Sequence, residues 1–326
     1  MIFKMEDNSM QPIAPPVPAH LYRDEIASLG HCLLFESGDY QVFLLRSEDA
    51  PSLMQELYRL REETFRAIGE GTGLPLDTDS YDAYYRQMIL WNVPNAEIAG
   101  AYRLGFGVEI LKEHGGIDGF YTASLFNYSP EIAPLLGQSL ELGRSFIVPK
   151  YQREIFTLKL LLAGLAVSSL YCPEARYYMG PVSMSASIPT YYQTLAVHFL
   201  KRDFAFPNAD RLVQCTHPFV PDPACKNPDE LISEVPERNI DAFDHRLAAL
   251  SDGQYRLPVL FRKYFSCNAR VACFNVDPLF CNCVDGLIFL KLSEYPQITL
   301  RSLLRGVGPD LRNDVWMHFY GESYKD

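Results

Sequence analysis

Glu141 and Arg144 lie three residues apart in Leu140-Glu141-Leu142-Gly143-Arg144-Ser145-Phe146, and Arg103 lies in Gly100-Ala101-Tyr102-Arg103-Leu104. A carboxylate at the polar centre of an apolar strand can serve as a general base, directly or through water, because its surroundings shift its proton affinity. A guanidinium fork pairs bidentately with a carboxylate, so Arg144 and Arg103 can hold a carboxylate-bearing ligand. The same residue types have a structural use. Glu141 is then the buried partner of an arginine, and the two arginines are partners of Glu141, Asp79 or Asp82. Alternation along a strand sends Glu141, Gly143 and Ser145 to one face and Leu140, Leu142 and Arg144 to the other, unless a bulge interrupts it.

The elements that must position these residues follow from the apolar pattern. Tyr40 to Leu45 reads as a strand, and the Asp49-Ala50-Pro51 start signal opens a helix whose stripe is Leu53, Leu57, Leu60 and Ile68, with Arg61 and Phe65 beside it. Asp77 to Arg86 is an acidic, tyrosine-rich loop or short irregular helix. Met88 to Trp91 and Ile98 to Phe106 form a hairpin through Asn92, Pro94 and Asn95. Leu140 to Val148 is a further strand, Phe156 to Tyr171 an apolar buried helix, Tyr177 to Met179 a short strand and Pro189 to Leu200 a helix. Val271 to Asn275 and Gly286 to Lys291 extend the same sheet. This order predicts one mixed α/β sheet with helices on both faces.

Composition narrows the function classes. A formal net charge of -11 argues against nucleic acid as a partner, since phosphate binding needs a basic surface. Lys150, Arg153, Lys159, Arg176, Lys201 and Arg202 fall in one middle segment and form either a local basic face or a scattered solvated surface. No run reaches the roughly 20 apolar residues of a spanning helix. The first thirty residues carry the proline-rich stretch Pro12 to Pro18 and no basic start followed by an apolar run, so the chain is expected to be cytoplasmic. The eight cysteines then read as buried thiols, neither a disulfide framework nor a metal site. Cys172 and Cys215 lack a histidine at a suggestive spacing, which argues against a covalent acyl-enzyme. His198 to Asp203 and His217 to Asp222 show the His-x-x-x-x-Asp spacing of glycerol-phosphate O-acyltransferases without the phosphate-binding segment that must follow it, and are read as coincidence.

The strand order and the segments around Arg103 and Glu141 to Arg144, with Phe120-Tyr121 and Leu257-Pro258-Val259-Leu260, resemble GNAT-like bacterial N-acyltransferases of the ornithine-lipid and glycine-lipid synthase family, and more distantly acyl-homoserine-lactone synthases. Proteins of that family are sometimes labelled hemolysins, a name that implies no pore. The resemblance spans roughly residues 39 to 295. Gly180-Pro181-Val182-Ser183-Met184 and the stretch from Asn275 to Gly286 are closer to the glycine-lipid branch. It implies a GNAT-like mixed central sheet flanked by helices, divided into a flexible N-terminal tail (1–30), an acyltransferase core (31–210) and a C-terminal extension that adds strands (211–326).

It also implies roles. Matching positions in the resembling synthases line or stabilise the acceptor pocket, which brings in Arg61, Phe65, Asp79 and Asp82. Gly180 and Ser183 follow the short strand, where GNAT-like sheets splay to admit a pantetheine arm, and would make backbone contacts. Ordinary GNAT enzymes hold the pyrophosphate of coenzyme A on a glycine-rich turn. Here that turn reads Val148-Pro149-Lys150-Tyr151-Gln152-Arg153 and lacks Gly-x-Gly, which favours acyl carrier protein as donor, with Lys150, Gln152 and Arg153 on the donor side. A long acyl chain needs an apolar tunnel, for which Leu158, Leu161, Leu162 and Leu165, with Phe120, Phe126 and Tyr128, are lining or simple core.

The resulting expectation is transfer of a long, 3-hydroxylated or plain acyl chain from acyl carrier protein to the amine of a small amino acid, glycine first, with no bound cofactor. Work beside the inner membrane surface is a further expectation. The alternatives are an ornithine N-acyltransferase, an autoinducer-type synthase using S-adenosylmethionine, and a degenerate module that only binds acyl carrier protein.

Overall fold

The computed structural model describes residues 10–325, so the first nine residues of the expected tail lie outside the described residues. The chain divides into two compact units that interleave in sequence. One comprises residues up to Arg103 with Arg144–Leu165 and Leu279–Cys281, and the other Leu104–Gly143, Ala166–Pro278 and Asn282–Asp326.

The first unit begins with α1 (Ala19–Ser28), β1 (Leu33–Ser37), β2 (Tyr40–Leu45), α2 (Pro51–Ala67), β3 (Arg86–Asn92) and most of β4 (Glu97–Phe106). Residues 19–28 are therefore a packed helix where the sequence led us to expect a tail. Tyr22 is buried with its ring edge-on to Trp91 at 6.0 Å. The α1 carboxylate of Glu25 also accepts the N–H groups of Ser52 (3.0 Å) and Leu53 (2.8 Å), two of the orphan donors at the start of α2. Along β2 and β3 alternate residues face opposite ways. Phe43, Leu45, Ile89 and Trp91 pack with Leu53, Leu57 and Leu60 of α2.

The other face is covered by a helix approaching closely at Gly164, where a Cβ would lie 2.7 Å from the Met88 sulfur and 3.0 Å from Val42. The strand order in this unit is β1-β2-β3-β4, then the second half of β6 (Ser139–Ile147), with β1–β2 and β2–β3 antiparallel.

In the second unit the end of β4 leads into α3 (Gly107–Glu113), β5 (Phe126–Tyr128), α4 (Ala133–Gly137) and the first half of β6. The covering helix named above is α5 (Ile155–Ser168), whose last turn belongs here. β7 (Tyr177–Met184), α6 (Thr190–Asp203), β8 (Val213–Cys215), β9 (Arg270–Asp277) and β10 (Cys283–Lys291) follow.

The order is β4-β6-β7-β10-β9, and β5 pairs with β8 in a separate two-stranded sheet. β6 and β7 run parallel over Ser139↔Tyr177, Leu140↔Tyr178 and Glu141↔Met179, whereas β7–β10 and β9–β10 are antiparallel. The sheet is thus mixed, as expected. The Leu257-Pro258-Val259-Leu260 motif is held by Asp244, whose carboxylate accepts Leu257 N–H (2.8 Å) and the Arg256 guanidinium (2.8 Å) just before the helix Val259–Ser266.

Candidate active site

In the first unit, six charged side chains converge from four segments: α2, the stretch 77–82, β4 and β6. Arg61 on α2 is buried and donates through Nη2 to Asp82 Oδ2 (2.9 Å) and to the Asp77 carbonyl (2.5 Å), with Nε 3.2 Å from Asp77 Oδ2. Arg103 on β4 donates to Asp79 Oδ1 at 2.5 Å and lies 3.3 Å from Asp82 Oδ1. Arg144 on β6 has Nε 3.2 Å from Asp77 and Nη2 3.4 Å from Asp79 Oδ2.

The short helical turn Ser80–Ala83 presents two of these carboxylates. Asp79 accepts Tyr81 N–H (3.0 Å) and Asp82 accepts Asp79 N–H (3.0 Å), a reciprocal cap that fixes both. Burial on its own raises the Asp82 carboxyl. The charges of Arg61 and Arg103, with hydrogen bonds from Arg61 and the Asp79 backbone, outweigh it and hold the group well below the usual carboxylate range.

Three arginines thus face three aspartates with no net charge, as buried ions require. Only the Arg144–Asp79 edge is open: the Arg61, Asp77 and Arg103 side chains are 1% exposed, against 11% for Arg144 and 25% for Asp79. Phe65, beside Arg61 on α2, contacts Phe146 and Phe280 edge-on at 6.4 and 5.6 Å, and the Phe280 ring centre lies 5.2 Å from the Arg144 guanidinium carbon. Arg144 has φ of 48°, a left-handed residue inside a strand, which interrupts the simple alternation expected along β6.

The residues expected on the donor side are also in this unit. Lys150 is exposed and pairs with Glu97 at 2.6 Å, Gln152 donates to the Ile147 carbonyl at 2.9 Å, and Arg153 is exposed. Of the middle basic segment, Lys150, Arg153 and Lys159 fall here, and Arg176, Lys201 and Arg202 in the second unit.

In the second unit, Glu141 is 1% exposed and accepts the backbone N–H groups of Tyr121 (3.1 Å) and Thr122 (2.7 Å). Its carboxylate therefore ties the Tyr121–Ser124 turn to β6. Burial pushes the nearby Tyr128 phenol well above its usual range, and the Glu141 charge adds to that. At Gly180 a Cβ would lie 2.2 Å from the Leu142 carbonyl oxygen, so β7 can pass β6 here only without a side chain. Ser183, half-buried, donates to the buried Asp285 at 2.6 Å across the β7–β10 ladder. His198 pairs with Asp229 at 2.7 Å, while Asp203 pairs with Arg202, so the first His-x-x-x-x-Asp spacing forms no dyad.

Arg61, Asp79, Asp82, Arg103 and Arg144 are brought together, with Phe65 adjacent; Glu141, Gly180 and Ser183 lie in the other unit. Sequence reasoning missed Asp77, Phe280 and Asp285. Asp77 opens the acidic segment, and the other two sit in the Asn275 to Gly286 stretch, which drew notice only as a motif.

The mixed sheet with helices on both faces is a GNAT-like fold, and residues 60–162 match the acetyltransferase (GNAT) domain family. The chain is similar to the glycine N(alpha)-acyltransferase of Bacteroides thetaiotaomicron (33% identical over 205 residues, 60% of this chain and 61% of that one). It is also similar to that of Phocaeicola vulgatus (30% identical over 214 residues, 63% of this chain and 65% of that one). The matches thus span less than two thirds of either relative. Among solved structures, the acyl-homoserine-lactone synthase LasI overlaps 47% of this chain and 75% of its own at 18% identity, with a TM-score of 0.32.

Proposed function

We propose that the chain transfers a long acyl group, 3-hydroxylated or plain, from acyl carrier protein to the amine of a small amino acid, glycine first. The observation that carries the acceptor reading is the Arg144–Asp79 edge. A zwitterion places its carboxylate on Arg144 and its ammonium on Asp79, so each charge of the pair gains a partner and the cluster stays neutral. The glycine N(alpha)-acyltransferase relatives support the same acceptor.

In the transfer, the amine nitrogen attacks the thioester carbon, the C–N bond forms, the C–S bond breaks, and the departing thiolate takes up a proton. Two protons leave the ammonium, one returns on sulfur, and one is released to solvent. Glu141 is the proposed acceptor of the amine proton, directly or through water. Gly180 and Ser183 are proposed to contact the donor arm, and Lys150, Gln152 and Arg153 the carrier. Carrier protein as donor rests on the missing Gly-x-Gly turn. Among the described residues no helix is long and apolar enough to cross a membrane, and contact with the membrane surface is proposed only from the insolubility of the product.

The test is to incubate the protein with long-chain acyl carrier protein, and separately with the matching acyl-coenzyme A, in the presence of single amino acids including glycine and ornithine. Mass spectrometry should show an N-acylglycine amide formed faster from the carrier-bound donor. No amide with any acceptor and either donor would overturn the reading, and release of methylthioadenosine from S-adenosylmethionine would replace it with the autoinducer alternative.

A further inference from the structure

We propose that Cys215 and Cys273 form a redox-active dithiol, closed to a reversible disulfide by hydroperoxides. All eight cysteines are free, but they are not all buried as the sequence led us to expect: Cys32, Cys215 and Cys273 are half-buried and Cys281 is exposed. Cys215 ends β8 and Cys273 lies within β9, the outermost strand of its sheet, so two separate elements of one unit bring them together. The backbone laces those elements. Phe206 N–H donates to the Val271 carbonyl (2.8 Å), Val276 N–H to the His217 carbonyl (2.8 Å) and Phe219 N–H to the Phe274 carbonyl (3.0 Å). The chain on either side of Cys215 is thus bonded to β9 on either side of Cys273. Cys215 also stands opposite Phe126 of β5, and Thr216 N–H donates to the Leu125 carbonyl at 3.2 Å, so its strand is held from both edges.

The two thiols lie within hydrogen-bond reach of each other, and their surroundings sort their roles. The Cys273 thiol donates to Cys215 and draws the Cys215 thiol below its ordinary range; the Lys201 charge and the Phe274 N–H add to this and outweigh burial. Lys201, on α6, holds its ammonium 6.0 Å from the Phe274 ring centre. Cys273 is pushed up, first by the same hydrogen bond and then by burial. A partly exposed thiolate in positive surroundings with a second thiol beside it is the arrangement in which oxidation ends at a disulfide.

Cys215 is then the attacking sulfur. Its thiolate takes one peroxide oxygen: the S–O bond forms, the O–O bond breaks, and the departing hydroxide takes up the proton that Cys215 has given up. Cys273 attacks the resulting sulfenic sulfur, the S–S bond forms, the S–O bond breaks, and the second hydroxide leaves as water with the Cys273 proton. Two thiols are oxidised by two electrons and one peroxide is reduced to two waters. Neither substrate of the acyl transfer takes part.

The test uses full-length protein, reduced and freed of reductant, titrated with hydrogen peroxide, blocked with N-ethylmaleimide, digested and mapped by mass spectrometry. A cross-linked peptide joining Cys215 to Cys273, lighter by two hydrogens than its parts and lost on treatment with dithiothreitol, should appear at lower peroxide than any oxidation of the exposed Cys281. Oxidation of Cys281 with Cys215 and Cys273 still blocked by maleimide overturns the proposal, and so does a disulfide that pairs either of them with another cysteine. This map needs no variant. Two variants test the roles. In Cys273→Ser the reaction should stop at a sulfenic acid on Cys215, trapped by dimedone, and in Cys215→Ser the dimedone adduct should be lost and not transferred to Cys273. Equal trapping at Cys273 in Cys215→Ser would overturn the assignment of Cys215 as the attacking sulfur.

Discussion

Arg144 Nη2 lies 3.4 Å from Asp79 Oδ2, and the arginine reaches it from a left-handed backbone with φ of 48°. A non-glycine residue in that conformation within a strand is uncommon and persists where surrounding contacts hold it. Here those contacts are Asp77, Asp79 and the Phe280 ring. The long, weak contact to Asp79 contrasts with the 2.5 Å that Arg103 makes to the same carboxylate, so Arg144 is the member of the cluster best placed to exchange its partner for a ligand.

Arg144→Lys keeps the charge and removes the planar fork. For glycine we expect KM to rise by about tenfold or more, as for loss of one charged hydrogen bond worth roughly 1.5–3 kcal/mol. Acceptor titrations at saturating donor would show this. A KM within twofold of the unaltered protein would remove Arg144 from the acceptor site.

Arg61 lies deeper and should behave differently. Arg61→Met leaves Asp82 and Asp77 short of one of their buried cations, a change that costs about 3–5 kcal/mol when one partner of a buried pair is removed. The denaturant midpoint should fall accordingly. Arg61→Met combined with Asp82→Leu should recover part of the loss, because no uncompensated charge then remains at that pair. Simple additivity of the two single changes would argue against a shared network.

The depressed Asp82 carboxyl gives this network a pH signature. Its folded value lies below the ordinary 3.8, so its contribution is fully present above 3.8 and is lost as pH falls from there toward the folded value. Asp82→Asn should therefore be less stable than the unaltered protein at neutral pH, and the gap should narrow below pH 3.8. Melting curves between pH 7 and pH 3 read this directly. A gap of constant size would mean that the hydrogen bonds of Asp82, and not its charge, carry its effect.

Much of this was legible in the residues. β2, β3, β4 and β6 each declare themselves by apolar runs, and α2 by its Leu53, Leu57 and Leu60 stripe. α1 did not, because half of Ala19–Ser28 is polar and the helix is held by Tyr22 and by the Glu25 cap on α2, both long-range contacts. The three-residue strands β5 and β8 are too short for a periodic signal. The left-handed Arg144 could not be read, since nothing about an arginine announces positive φ. Asp77 and Phe280 acquire meaning only when distant segments bring them to Arg144.

Gly180→Ala tests the close passage of β7 and β6. The new methyl would meet the Leu142 carbonyl oxygen at 2.2 Å, and a backbone atom has little room to yield. We expect a loss of about 1–3 kcal/mol, in the range of overpacked sites. Gly143→Ala, where a Cβ meets nothing within 4 Å, is the control and should be nearly neutral. Equal effects from the two would show that the contact at Gly180 is unimportant.

Glu141→Gln separates two roles for one carboxylate. An amide offers a single acceptor oxygen, so one of the Tyr121 and Thr122 N–H groups loses its partner and faces an NH2 group instead. That alone should cost about 1–3 kcal/mol of stability, the penalty for a buried donor left unmade. If Glu141 only anchors the turn, activity per folded molecule should be close to normal, and Glu141→Asp, too short to reach both N–H groups, should be no better than Gln. If it also takes the amine proton, turnover should fall by about 10²–10⁴-fold at saturating substrates with carrier protein still bound. Glu141→Asp should then recover part of it. Turnover normalised to the folded fraction, set beside the melting temperature, decides between the two.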